Sequence, residues 1–168
     1  MRYLIFFLCA FSMIDGVCQT ELTAEEIFNL LPSKIPGYHK LESFRSKKMK
    51  MGTLTYTLFE KKFKKKEKSI QLLLFDYTQA EIMYSQATKN WNTITTVDND
   101  SVKMMPIQVE SFSGIQSFRK KTGKSQVSLG INNRFYLNVS GENISLPELV
   151  SIVNMIPLSK LPLTAKRQ

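Results

Sequence analysis

The segment that most restricts the fold is TLTYTLFEKKFKKKEKSIQLLLFDY, residues 53–77. Its first third alternates Leu54, Tyr56 and Leu58 with threonine, as in a strand with one buried face. Its last third, residues 70–77, is almost continuously apolar, which is typical of a strand covered on both faces. Between them lie six lysines within eight residues. The pattern predicts a β-hairpin with KKFKKKEKS across its end, so the chain has to build a sheet.

Three segments carry the signature of a helix start, in which a Ser or Thr and a Glu three residues later cap each other's N–H groups. They are TAEE (residues 23–26), TQAE (78–81) and SLPE (145–148). Apolar residues then recur at helical spacing, most clearly after the third, at Leu149, Ile152, Val153 and Ile156. We expect three short helices.

The remaining strands are predicted between the second and third helices. Residues 107–118 fit one long bent strand or two strands that meet near Gly114, and residues 97–105 are expected to form a loop. Alternating apolar residues on both sides of Asn132-Asn133 predict a hairpin with a tight turn. The order α-β-β-α-β-β-β-α predicts a single α+β domain, with helices packed on an antiparallel sheet of about five strands.

The N-terminus, residues 1–18, has the pattern of a signal peptide. One arginine precedes an apolar run of residues 3–11, which is shorter than the ~20 residues of a transmembrane helix. Cleavage after Cys18 would leave residues 19–160 as the domain and 161–168 as a basic tail, with no cysteine and no transmembrane helix. We expect a periplasmic or extracellular protein. The alternative is a lipoprotein anchored at Cys18, although Val17 fits a lipobox poorly.

No catalytic or metal-binding set is evident in the sequence. His39 is the only histidine, and no nucleophile motif accompanies it. The stretch KTGKS, residues 121–125, resembles the end of a phosphate loop, but Phe118 stands where that motif requires a glycine. Asp98 and Asp100 are too few for calcium. We therefore expect neither an enzyme nor a cofactor nor a metal, while a hydrolase with carboxylates from separate loops is a further alternative.

The basic stretch is the candidate binding site. The chain has a formal net charge of +9, and the basic residues are concentrated between Arg45 and Lys68. Lysines at strand ends have a structural explanation, because they prevent sheets from pairing edge to edge. The functional interpretation is contact with an anionic surface, as lysines near an anionic bilayer contribute ~1 kcal/mol each. The residues assigned to this contact are Lys61, Lys62, Phe63, Lys64, Lys65 and Lys66.

These observations predict an exported, non-enzymatic domain that acts by surface association. Its partner would be an envelope protein or an anionic lipid or glycan. Nucleic acid is not expected, since export removes the chain from it and the sequence has no basic stacking platform. The alternative is a carrier of a small apolar ligand, with Tyr77, Tyr84 and Trp91 lining its pocket.

Both ends of the predicted domain carry a resemblance. The segment NRFYLNVSGENISLPELVSIVNMIPLSKL (residues 133–161) is similar to the end of small exported bacterial proteins of unknown function, and LLPSKIPGY (residues 30–38) is similar to their beginning. These motifs are structural. The resemblance therefore implies an exported domain but no catalytic or binding residues.

Overall fold

The computed structural model describes residues 22–163, so the predicted signal peptide and residues 164–168 lie outside the described residues. Within that range are three α-helices, two short 3-10 helices (Trp91–Thr93 and Leu158–Lys160) and nine strands. The helices are α1 (Ala24–Leu30), α2 (Glu81–Thr88) and α3 (Leu146–Val153). The strands are β1 (His39–Leu41), β2 (Lys47–Met51), β3 (Leu54–Lys65), β4 (Lys68–Asp76), β5 (Val97–Asp98), β6 (Val102–Val109), β7 (Phe112–Arg119), β8 (Lys124–Ile131) and β9 (Phe135–Glu142).

The strands form one antiparallel sheet in the order β1-β3-β4-β9-β8-β7-β6-β5, with β2 also paired to β3. The predicted α+β class with a single antiparallel sheet is confirmed. The prediction of about five strands is wrong, because β1, β2 and β5 are short strands outside the predicted set and residues 107–118 belong to two strands. β1 and β2 are largely exposed, so neither has the buried alternating face by which a strand is recognised in sequence.

The boundary between β6 and β7 lies a few residues before the predicted one. The two strands pair up to Val109 opposite Phe112, and Glu110 turns the chain with a positive φ of 53°. The predicted loop at residues 97–105 contains β5 and the start of β6. Pro106 lies within β6 opposite Ile115, beyond the two residues with which β5 pairs. A proline in such a position, without an N–H group, fits an edge strand.

The two faces of the sheet differ in what covers them. On the first, which we call the core face, α1 and α3 pack against apolar side chains of the central strands. The apolar side chains buried on this face of the sheet are Phe59, Phe63, Ile70, Leu72, Leu74, Val109, Val127, Leu129, Ile131, Phe135, Leu137 and Val139. The second face carries α2 near the β8–β9 turn, where Tyr84 and Trp91 approach Gly130. The sheet therefore has one continuous apolar side.

The predicted capping box forms in full at the first helix and only in part at the third, where the Glu148 carboxylate contacts Lys68 and Tyr38 instead. Thr23 and Glu26 form the predicted capping box, with N–H to oxygen distances of 2.7 and 3.2 Å. The Ser145 hydroxyl accepts from the Glu148 N–H at 3.3 Å. The predicted cap of the second helix is wrong, because α2 begins after Ala80 without a side-chain cap. The Thr78 hydroxyl instead donates to the Asp76 carboxylate at 2.6 Å.

A buried ion pair lies beneath the β8–β9 turn. Asn132 and Asn133 both have positive φ, as the predicted tight turn requires, and Arg134 follows them. Its guanidinium donates to both oxygens of Asp76, at 2.9 and 2.8 Å. Burial raises the pKa of Asp76, but the hydrogen bonds from Arg134 and Thr78 outweigh it and hold the pKa below its usual value. This pair ties the end of β4 to the start of β9.

The close approach of β7 to β8 at Gly114 gives a test of the strand register. A Cβ atom added there would lie 1.9 Å from the Ser128 carbonyl oxygen, which is backbone and cannot turn away. We predict that Gly114→Ala lowers the free energy of unfolding by about 1–3 kcal/mol, measured by urea denaturation. The neighbouring, exposed Ser113→Ala should change it by less than about 0.5 kcal/mol. Equal stability of the two variants would contradict the register.

Candidate functional site

The predicted basic stretch is a hairpin, but most of its lysines belong to a strand and not to the turn. β3 continues to Lys65, and only residues 66 and 67 separate it from β4. Side chains alternate between the faces of a strand, so the stretch is divided between the two sides of the sheet. The expectation that all six residues share one exposed surface is therefore wrong for this geometry.

Lys61 points into the core and is 2 % exposed. Its ammonium group donates to the Leu31 carbonyl at 2.6 Å and lies 4.2 Å from the centre of the Phe28 ring. Leu31 is the C-cap residue of α1, where carbonyl groups lack partners within the helix. Lys61 therefore fastens α1 to the sheet. Burial, and secondly the charge of Lys40, lowers its pKa from 10.5 to about 8.

The other predicted contact residues separate into buried and exposed groups. Phe63 is fully buried in the core, so it is not available to the anionic contact to which the sequence assigned it. Lys62 lies on the second face and forms an ion pair with Glu60 at 3.0 Å. Lys64, Lys65 and Lys66 are exposed at the end of the hairpin. These last three are the part of the predicted site that remains available to a partner.

A second basic turn lies at the same end of the sheet. The β7–β8 hairpin carries Arg119, Lys120, Lys121 and Lys124 around its turn. A row of directly paired residues connects the two hairpins across five strands, in the order Lys64, Ser69, Glu142, Lys124 and Arg119. At a strand spacing of ~4.8 Å this row is about 19 Å long.

Asn143 joins the two turns directly. It follows β9, the strand between them, and has a positive φ of 56°. Its backbone N–H donates to the Gly123 carbonyl in the β7–β8 turn at 3.1 Å. Its side-chain amide donates to the Glu67 carbonyl in the β3–β4 turn at 2.9 Å. One residue therefore holds both basic turns in a fixed relation.

We call this part of the surface the cationic end. It consists of Lys64, Lys65, Lys66, Arg119, Lys120, Lys121 and Lys124. Two of these cations interact with neighbours, since Lys120 pairs with Asp98 at 2.7 Å and Lys65 lies 5.6 Å from the Tyr38 ring. Within residues 22–163 the other five form no ion pair at 4 Å or less. The carboxylates at this end of the sheet are Asp98, Asp100, Glu67, Glu142 and Glu148.

Glu148 neutralises one lysine beside the cationic end. Lys68 contacts its carboxylate at 2.8 Å, and the Tyr38 hydroxyl donates to it at 2.9 Å. The hydrogen bond from Lys68 holds the pKa of Glu148 below its ordinary value. Burial, together with the bond to this carboxylate, raises the pKa of Tyr38 to about 12. Lys68 is therefore occupied in joining β4 to α3 and is not part of the contact surface.

An apolar groove lies on the core face, between α3 and the outer strands β6 and β7. It has a volume of about 660 Å³. The side chains that define it are Lys103, Met105, Ile107, Phe118, Leu146 and Val150. The sheet extends outward past α3, so these side chains form a trough and not a closed core.

The residues predicted to line a carrier pocket lie elsewhere. Tyr84 and Trp91 line a smaller cavity on the second face, beside Gly130. Tyr77 is buried among aromatic rings, with centroids 5.5 Å from Tyr56 and 5.8 Å from Phe75. These three side chains therefore do not form one pocket, and the groove is on the opposite face.

No family model matches this chain, and no curated protein or solved structure matches it. Within residues 22–163, His, Cys, Asp and Glu side chains nowhere gather in a group of three or more that could hold a metal. In the same range, no helix is both long enough and apolar enough to span a bilayer.

Sequence reasoning missed the second basic turn and Asn143. In the sequence, residues 121–125 resemble only the end of a phosphate loop, and nothing local indicates that β4 pairs with β9 and brings this turn beside the first one. Burial of Lys61 did have a local signal. It stands midway between Phe59 and Phe63 with strand periodicity, and two buried aromatic residues predict a buried residue between them.

The titration of Lys61 gives a second prediction. Between pH 8 and 10.5 the unfolded chain holds a proton that the folded chain has lost, so the free energy of unfolding rises with pH. We predict a rise on the order of 2 kcal/mol between about pH 7.5 and 9.5, measured by urea denaturation.

Lys61→Met is the control for this rise, since methionine is apolar and does not titrate. The raised pKa values of Tyr38 and Tyr77, both about 12, reduce stability only above about pH 10. These two tyrosines therefore have little effect on the free energy of unfolding in the measured pH range. A rise of equal size in the variant would show that another group causes it.

Proposed function

We propose that this chain is an exported, non-enzymatic domain that associates with an anionic component of the cell envelope. The cationic end is its contact surface. The observation that carries the proposal is the fastening of two basic turns by Asn143, which presents cations from distant parts of the sequence on one surface.

The charges at this end support contact with a polyanion more than with a small ligand. Lysine ammonium groups are compact, strongly hydrated point charges on flexible stems. They are spread along a row of about 19 Å and are not gathered in a cavity. Such an arrangement suits a surface that presents many anionic groups, such as a bilayer or an acidic glycan.

The lysines of β2 have a different role in this account. Lys47, Lys48 and Lys50 are exposed on a strand whose outer edge has no partner strand among the described residues. Charged side chains on an edge strand oppose pairing with another sheet. Protection against edge-to-edge pairing therefore explains the lysines of β2. The lysines of the cationic end remain available to a partner.

Vesicle sedimentation tests the proposal with variants that each remove two charges. Lys64/Lys66→Ser alters the first turn and Lys121/Lys124→Ser the second. At ~1 kcal/mol per lysine, each should weaken binding to phosphatidylglycerol-containing vesicles by roughly 10- to 30-fold, and added salt should weaken binding of the wild type.

The matched control is Lys47/Lys50→Ser, which removes the same charge from the far end of β3. It should leave binding within about 3-fold of the wild type, because contact is local and salt screens charge beyond ~10 Å. Equal losses in all three variants would indicate a net-charge effect. No sedimentation of the wild type would also contradict lipid contact.

A further inference from the structure

The groove beside α3 is an uncovered part of the core face. Lys103, Met105 and Ile107 of β6 point toward that face, as do Gln116 and Phe118 of β7. α3 packs mainly over β8 and β9, so its outer flank and the outer strands form the two walls. The apolar side chains here are half-buried, whereas those under α3 are fully buried.

The dimensions of the groove suit an aliphatic chain. Its volume of about 660 Å³ is in the range of small-molecule sites, ~300–1,000 Å³. Five residues of β6, from Lys103 to Ile107, span about 14 Å at ~3.4 Å per residue. Polar side chains also border the groove, at Gln116, Ser145, Ser151 and Asn154, but most of its exposed surface is apolar. An occupant therefore gains mainly by burying apolar surface.

One end of the groove is charged and adjoins the cationic end. Lys103 pairs with Phe118 across the sheet, near the β7–β8 turn. Its ammonium group is 3.7 Å from Asp98, whose closer partner is Lys120 at 2.7 Å. Lys103 keeps 44 % of its side chain exposed. An anionic group placed there would meet Lys103 and Lys120, with Asp98 as the carboxylate opposing it.

We propose that the groove binds one aliphatic chain of an anionic amphiphile, with its headgroup at Lys103 and its tail along Met105, Ile107 and Val150. This goes beyond adsorption through the cationic end, because it requires a saturable site on the core face. With its headgroup at Lys103, the amphiphile lies next to the cationic end, which is the surface proposed to contact the envelope.

Titration calorimetry with three twelve-carbon probes tests the proposal. Laurate should bind to one site per chain, at least 10-fold more tightly than dodecyltrimethylammonium. Lys103→Met should weaken laurate binding about 2- to 5-fold, as expected for a partly exposed ion pair, and leave binding of 1-dodecanol unchanged. No saturable binding of laurate, or equal binding of the cationic probe, would overturn the proposal.

Val150→Glu tests the location of the tail, since it places a carboxylate in the groove wall. It should weaken laurate binding at least 10-fold, whereas Ile115→Glu on the second face should not. Lys64/Lys66→Ser should keep laurate binding while its vesicle binding weakens roughly 10- to 30-fold, which separates this proposal from the proposed function. Equal laurate binding by Val150→Glu and the wild type would overturn the assignment.

Photolabelling of the wild type with a diazirine-bearing fatty acid makes the test independent of folding in the variants. Label should be concentrated in β6 and α3. Label concentrated elsewhere would contradict the site. If the wild type is a dimer and Val150→Glu makes it monomeric, a second copy of the chain occupies the groove. That result would also overturn the proposal.

Discussion

The pairing of β4 with β9 is the constraint on which the rest of this structure depends. It joins strands β1 to β4 (residues 39–76) to strands β5 to β9 (residues 97–142), with Ser69 opposite Glu142 at one end and Asp76 opposite Phe135 at the other. Both strands carry fully buried side chains on the core face. A slip of one residue would turn this apolar set toward solvent, so the register is strongly specified.

Each end of this pairing is reinforced by side chains of a different kind. At one end, the bidentate ion pair of Arg134 with Asp76 is buried beneath the β8–β9 turn. At the other end, Asn143 uses its backbone and its amide to hold two basic turns. Like charges brought together in this way repel one another. The fixed position of the turns therefore maintains a charge concentration that a flexible chain would disperse.

Lys61 shows how the same lysine-rich stretch serves the fold as well as the surface. A buried ammonium group is costly unless it has partners, and it has the Leu31 carbonyl and the Phe28 ring. Lys64, three residues further along the same strand, points to the second face of the sheet and is exposed. Composition does not distinguish these lysines from one another. The alternation of side chains along the strand places them on opposite faces of the sheet, where they have different roles.

The sequence predicted the elements that have strong local signals and missed those whose signals are weak or that depend on distant partners. The caps at Thr23 and Ser145 and the Asn132-Asn133 turn were correct because neighbouring residues determine them. β1, β2 and β5 were missed because they are short and largely exposed, and so lack the alternating buried face by which a strand is recognised in sequence. Four of the seven cations at the cationic end were missed for another reason, because the β4–β9 pairing that brings them beside the first turn joins residues 59 to 73 positions apart.

The central claim is that two turns, distant in sequence, act as one anionic contact surface. Paramagnetic relaxation measured by NMR, with a spin label on the headgroups of anionic vesicles, tests it most directly. The account predicts that amide signals of residues 64–67 and 119–124 are attenuated together, while those of β2 are not. Attenuation of only one turn, or equal attenuation of β2, would contradict it.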